Sequence, residues 1–522
     1  MVALLTLVSR VLGFVRDAVT AGLLGGGVVN DALTLAWTVP NAFRRLFGEG
    51  ALSVAFMPVF ARVLEHEGRQ RAREVANVLV STVAVGLLLL AGLLAGGLAL
   101  VPTDWAVAAF DVTPERFTLT REFVAWLLPY LAAICVIAQL MSVLHTLGEF
   151  AVPAIAPILL NVMWIAGALL AGALWPGEPR TQGLVIVGTI LASAVAQFAW
   201  HLPRLRALDL AWKPVLPRLT PELRAVGGAM GPLLLAMGTG QLNIIVDRGV
   251  AWAALPDGGV YHLYLGMRLM QFPLGLVSVA LTTAVFPVLN RMLARRELHA
   301  AAATTGEALR TNLVLCLPAA AGLLWVGPAL VAVLFERGAF TANDTALTWA
   351  ALMGYAPAIP LLGTAMILSR ALFALGDVRA PMRVALVTVV VNLGLDLVLV
   401  GPFGELGLAA ATTLTSLVHV VLLARVLGAR LSGPSGGTSA GVMVLAGAGP
   451  MLLATAAMLA GLWLTDLGLS AAWSGGAAPL LVRLLADTAV GGTVFALAAR
   501  RLCPAEWQAL SALWTRRRPG AA

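Results

Sequence analysis

Fourteen apolar runs constrain this 522-residue chain more than any other feature; they lie near 2–25, 31–60, 75–101, 122–146, 152–175, 182–202, 223–253, 259–290, 304–333, 346–374, 380–400, 405–428, 440–466 and 479–500. A helix needs roughly 20 consecutive apolar residues to cross the hydrocarbon of a bilayer, and a crossing backbone must satisfy its own hydrogen bonds. Each run reaches that length and is bounded by charge or by Pro/Gly clusters. Only 11% of the residues are charged, against about 25% in soluble domains. The expectation is an all-α polytopic membrane protein with 14 transmembrane helices.

Basic residues set the orientation. Twenty-two of them fall in one set of connections and the tail, among them Arg69, Lys213, Arg379 and Arg516 to Arg518, whereas the alternate connections hold Arg116, Arg121, Arg180 and Arg337. By the positive-inside rule both termini are cytoplasmic. The same asymmetry explains the formal net charge of +8, so nucleic acid is not an expected partner. Cys135, Cys316 and Cys503 are scattered and suggest neither a disulfide framework nor a metal site. The first run carries Arg10, Arg16 and Asp17 without a small-residue cleavage site, which argues against a removable signal peptide.

The chain also resembles itself. Ala51 to Leu64 (ALSVAFMPVFARVL) matches Ala280 to Leu293 (ALTTAVFPVLNRML) at an offset of 229, and Leu147-Gly148-Glu149 with Pro153 matches Leu375-Gly376-Asp377 with Pro381 at 228. A repeat of that length spans six helices, an even number, so the halves are parallel about an axis along the membrane normal, with a central cavity between two bundles as the expectation. The resulting division is 1–210 and 211–432 for two six-helix bundles, and 433–522 for two additional helices and a basic tail.

Charge inside the runs then becomes the informative signal, because an ionised side chain at the bilayer centre costs roughly 2.5–3.5 kcal/mol on insertion scales. The first run holds Arg10, Arg16 and Asp17, the second Asp31, Arg44, Arg45 and Glu49, the eighth Arg268. Asp31 stands near an outer end where water would solvate it, and Glu49 is placed at i, i+4 to pair with Arg45. Arginines gathered on one cavity suit a phosphate ligand, a diphosphate foremost, because the planar guanidinium binds phosphate through two parallel N–H donors. Pro40-Asn41 interrupts the second run, with Gly48 and Gly50 following. In the eleventh run Asn392 and Asp396 share one helical face; Asp247 in the seventh and Thr412-Thr413 in the twelfth add oxygens. Those groups suit a hard cation and equally suit hydrogen bonding between helices. His145, His262 and His419 stand alone, and no nucleophile, nucleotide loop or metal motif is present, so no enzyme chemistry is expected.

Ser9 to Asp17 (SRVLGFVRD), Asp31-Ala32 and Pro40 to Ala51 (PNAFRRLFGEGA) closely resemble the MurJ (MviN) family of lipid II flippases, within the multidrug/oligosaccharidyl-lipid/polysaccharide exporter superfamily. Asn243 to Asp247, Arg268 to Gly275 and Leu368 to Pro381 extend the likeness over nearly the whole chain. The resemblance implies a fourteen-helix fold in a bacterial cytoplasmic membrane that moves the undecaprenyl-diphosphate-linked peptidoglycan precursor to the outer leaflet by alternating access. It implies a cationic cavity, whose matching positions are Arg10, Arg16, Arg44 and Arg268 with Asp17 and Asp31 as companions. It further implies sodium as a bound ion, held by Asp247, Asn392, Asp396 and Thr412, a lipid-tail groove on the last helix pair, and lipid II, membrane lipids and cell-wall synthesis proteins as partners. Two departures stand out. Met267 replaces an Asp common in the family before the eighth-helix arginine, and the chain begins close to its first motif, which points to a shortened start. Competing classes are an exporter of another polyprenyl-diphosphate glycan, a drug exporter, which calls for an acidic cavity, and a non-transporting scaffold for wall synthesis, which needs no intramembrane arginines.

Overall fold

The computed structural model describes residues 1–48, 50–295, 297–431, 448–472 and 479–508. Among them the chain is helical, without strands. The elements are α1 (Val2–Leu24), α2 (Val28–Phe43), a π turn (Arg44–Gly48), α3 (Ala51–His66), α4 (Gly68–Leu100), α5 (Thr103–Phe110), α6 (Pro114–Thr146), α7 (Ala151–Leu174), α8 (Pro179–Ala207), α9 (Pro221–Ala254), α10 (Gly259–Ala294), α11 (Leu298–Phe335), α12 (Ala342–Tyr355), α13 (Ala358–Ala374), α14 (Arg379–Leu431), α15 (Ala448–Ala472) and α16 (Leu480–Leu502).

Among the described residues ten helices, with α2 to α3 taken together, are long and apolar enough to cross a membrane; the α12–α13 pair, bent by 40°, makes eleven. Three features separate the eleven from the fourteen runs: α9, which covers the seventh run, is not among the eleven, and the two others have a local cause. α14 joins two runs across Gly404, whose φ of 55° and ψ of −130° are not helical. α1 carries three charges, too many for a plain apolar crossing.

By compactness the chain forms two units, Met1–Tyr261 with Phe335–Asp344, and His262–Leu334 with Thr345–Ala522. The boundaries at 210 and 432 follow sequence likeness instead, so the two divisions measure different properties. The basic tail lies outside the described residues.

In the first unit α6 is apolar on every side, and Phe123, Leu127, Tyr130, Leu131 and Cys135 on it are buried. Such a helix belongs in the interior, and α2, α4 and α8 pack around it. Pro114 starts α6, with the Thr113 hydroxyl accepting the Arg116 N–H at 3.2 Å. The connection after α8 runs along α4: Lys213 N–H donates to Asn77 Oδ1 at 3.0 Å and Val215 N–H to Ser81 Oγ at 3.1 Å. The segment Phe335–Asp344 completes the unit, with Ala339 N–H donating to Gly22 O at 2.8 Å and Phe340 buried.

In the second unit α13 packs on α14 and α15 on α16. Buried Asn312 accepts from Ser278 Oγ at 2.8 Å and donates to the Pro360 carbonyl at 3.2 Å, filling a hydrogen-bond acceptor near the α12–α13 break.

The two units share one helix ending. Gly148 (φ 78°) follows α6 and Gly376 (φ 79°) follows α13, a left-handed conformation that a Cβ opposes. The N–H groups of Glu149 and Asp377 close back on Leu144 O and Leu372 O at 2.9 and 3.0 Å, the Schellman arrangement. Both carboxylates then pair with an arginine at the end of the last helix of their half, Glu149 with Arg204 and Asp377 with Arg430. The Ala380 N–H, with Arg430 adding to it, holds the Asp377 carboxyl below its ordinary value.

Candidate functional site

The candidate arginines of the first unit occupy three settings. Arg10 is exposed on α1 and makes no hydrogen bond or ion pair among the described residues. Arg16, two turns on, is 7% exposed. Its Nε and Nη2 donate to Asp17 Oδ1 at 3.0 and 2.6 Å, its Nη1 to Asn161 Oδ1 at 3.3 Å, and its guanidinium lies 4.7 Å from the centroid of Trp164. Asn161 and Trp164 are one turn apart on α7 and are themselves anchored, Asn161 Nδ2 on Ser9 O and Trp164 Nε1 on Thr20 Oγ1. Asp17 is thus the partner of Arg16, and α7 supplies an amide and an aromatic face that sequence reasoning passed over. A polar Asn in an apolar run, the signal that singled out Asn392, was present at Asn161.

Arg44 and Arg45 begin the π turn, half-buried. Pro40 and Asn41 were expected to interrupt the helix; α2 instead runs through both and changes only at Arg44. Pro40 cannot donate its backbone bond and so weakens the turn that precedes the change. Arg44 Nη2 donates to Asn41 Oδ1 at 3.1 Å. The turn is held from α6: Gln139 Nε2 donates to Phe47 O at 2.8 Å and to Ser53 Oγ at 3.3 Å, and Ser142 Oγ to Ser53 Oγ at 2.7 Å. A Cβ on Gly50 would strike the carbonyl oxygens of Arg45 and Leu46, so the chain can leave the turn only through glycine. The expected Arg45–Glu49 pair lies outside the described residues, because Glu49 does.

Asp31 requires a correction. It is not solvated at an outer end but fully buried. Its carboxylate accepts Gly258 N–H and Tyr261 N–H, both at 2.9 Å, at the start of α10, and Arg116 Nη2 at 3.1 Å. Arg116, read from sequence as a loop cation, is 5% exposed and also donates to Leu255 O at 2.5 Å. The pairing puts a negative charge at a helix N-terminus, where unpaired N–H groups and the helix dipole favour it.

The second unit carries Arg268, half-buried on α10, and Asn392 and Asp396, both fully buried on α14. Asn392 Nδ2 donates to Asp396 Oδ2 at 2.8 Å. Thr412 Oγ1 is buried without a hydrogen bond. Asp247 belongs to the first unit, where Asn243 Nδ2 donates to it at 3.3 Å. Among the described residues no three His, Cys, Asp or Glu side chains gather as a metal site. His262, expected to stand alone, has Nδ1 at 3.5 Å from Glu405 Oε1, both side chains buried.

The arrangement places arginine side chains among apolar helices. The chain is similar to known proteins. A protein of Rhizobium meliloti named as a probable lipid II flippase MurJ is 33% identical over 80% of this chain and 78% of its own length. One of Vibrio cholerae with the same name is 32% identical over 81% of each. Among solved structures, lipid II flippase MurJ in an inward closed conformation superposes with a TM-score of 0.74 at 21% identity, covering 96% of this chain and 99% of that one. An inward-facing multidrug resistance MATE family transporter of the MOP superfamily follows at 0.66 and 14%, covering 82% and 96%. Residues 20–483 match the family described as lipid II flippase MurJ, and the chain belongs to that family.

Proposed function

We propose that the chain moves lipid II from the inner to the outer leaflet by alternating access, with its diphosphate held by the intramembrane arginines. It is a membrane transporter and not an enzyme. The observation that carries the reading is the π turn at Arg44–Gly48, which presents two arginines within a membrane helix and is fastened from α6. A guanidinium fixed in orientation meets a phosphate through two parallel N–H donors, which a lysine cannot reproduce. Arg16, Arg44, Arg45 and Arg268 would contact the diphosphate; Asp17 orients Arg16, and Arg10 would act at the approach, whereas the carboxylate of Asp31 is taken up by Arg116 and the start of α10.

A membrane potential negative inside favours expulsion of an anionic headgroup, by about 2.3 kcal/mol per charge per 100 mV. Sodium would be held by Asp247, Asn392, Asp396 and Thr412. Their donors are all oxygens, as a hard cation requires, and the buried Thr412 hydroxyl without a hydrogen bond supports the fit. Such an ion supplies the positive charge that offsets burial of the carboxylates. Binding would favour one bundle arrangement by its differential affinity.

Liposomes carrying the purified protein and labelled lipid II test the reading. Outer-leaflet exposure is expected with the wild type, to be lost in Arg16→Ala and Arg268→Ala, and to remain impaired in Arg16→Lys. An imposed sodium gradient should raise the wild-type rate and leave Asp396→Asn unchanged. Wild-type rates in both alanine variants would overturn the arginine assignment. A sodium-insensitive wild type would overturn the ion assignment alone.

A further inference from the structure

Beneath the π turn the first unit contains a cavity of about 400 Å³ that the transport reading does not use. Its walls are Phe47 of the turn, Leu52 of α3, Leu79 to Leu87 of α4, and Leu223 to Met230 of α9. They are apolar apart from Thr82 and the side chain of Arg224, an exposed residue that makes no ion pair among the described residues. Two glycines line it. Both are exposed, and a Cβ built on Gly86 or on Gly227 meets nothing within 4 Å, so neither glycine carries a side chain into the space beside it.

Arg71 Nη2 pairs with Glu222 Oε1 at 2.9 Å, tying the charged ends of α4 and α9 together. From Leu79 to Leu87 the cavity runs inward for roughly 12 Å along α4, at 1.5 Å per residue. An apolar slot of this size, starting just below a charged belt and rimmed by a lone guanidinium, has the volume of a small-ligand pocket and the charge order of a lipid.

We propose that this cavity seats one acyl chain of an anionic phospholipid of the surrounding bilayer, with Arg224 taking its phosphate. A single chain segment fills the slot, and the rim carries charge for one phosphate group. The inference is independent of what the protein transports. Its consequence is local: the chain packs on Phe47, whose carbonyl is the acceptor for Gln139, so the lipid braces the turn that carries Arg44 and Arg45.

Native mass spectrometry of the purified protein, titrated with dioleoyl phosphatidylglycerol or dioleoyl phosphatidylcholine, tests this. The wild type should retain one phosphatidylglycerol that the Gly86→Leu/Gly227→Leu variant loses, and Arg224→Gln should reduce the preference over phosphatidylcholine about fivefold, the effect of one basic side chain at an anionic lipid. A filled variant that still retains the lipid overturns the proposal. Independently of variant folding, wild type in phosphatidylcholine vesicles doped with a chain-diazirine phosphatidylglycerol should be labelled between Leu79 and Leu87 or between Leu223 and Met230. Absence of label there overturns it as well, as does stoichiometric displacement of phosphatidylglycerol by undecaprenyl phosphate, which would make the occupant a polyprenyl carrier. Loss of flippase activity alone bears on the transport reading and not on this one.

Discussion

Arg16 and Arg116 place a guanidinium inside an apolar bundle with different partners. Arg16 leans on its neighbour Asp17 and on α7, which leaves it on the element that carries the family motif. Arg116 answers Asp31 from 85 residues away and fills the acceptors at the end of α9. Removing one partner of a buried pair leaves an uncompensated charge, a loss of about 3–5 kcal/mol. Arg116→Met should therefore lower the thermal midpoint of the detergent-solubilised protein sharply, and Asp31→Asn added to it should recover part of the loss. A midpoint within a degree or so of wild type for Arg116→Met would contradict the pairing. Neither residue advertised this role: Asp31 read as solvated and Arg116 as a topological cation, because only the fold brings them together.

At the scale of elements, the second apolar run shows what periodicity can and cannot give. Pro40, Gly48 and Gly50 announced a break, since each weakens a helix locally. Its place is held by Gln139, which reaches Phe47 O from α6 across about ninety residues of sequence. The ends of α6 and α13, by contrast, fall at the Leu-Gly-acid triplets at 147 and 375 that marked the repeat, because a Schellman ending is local chemistry. Likewise Asn392 and Asp396 were placed on one face by spacing alone and do meet, whereas His262 found Glu405 only through tertiary contact. The π turn makes a signed prediction. Gly50→Ala should destabilise by about 1–3 kcal/mol through overpacking against two carbonyls, whereas Gly92→Ala on α4, where a Cβ meets nothing, should stabilise by about 0.5–1 kcal/mol. Chemical or thermal unfolding of the two variants reads the opposite signs; equal shifts would contradict the geometry at Gly50.

For the whole molecule, the hydrophobic pattern announced the all-helical membrane class, since no other class tolerates so many apolar runs. Orientation rests on charge asymmetry and is open to test. In a background without Cys135, Cys316 and Cys503, a cysteine at Arg69 or Lys213 should react with a membrane-impermeant maleimide only after the cells are opened, and one at Pro176 should react in intact cells. External labelling at position 213 would invert the topology. The stretch Phe335–Asp344 gives the molecule a history as well as a shape. It lies with the first unit, yet its synthesis is finished only 83 residues after that unit's main body ends at Tyr261, a delay of roughly 4–17 s at 5–20 residues per second. Until Ala339 has been added to the chain, the Gly22 carbonyl lacks the N–H that it accepts in the finished protein. The first bundle is therefore born incomplete and is closed by a piece of chain that arrives late.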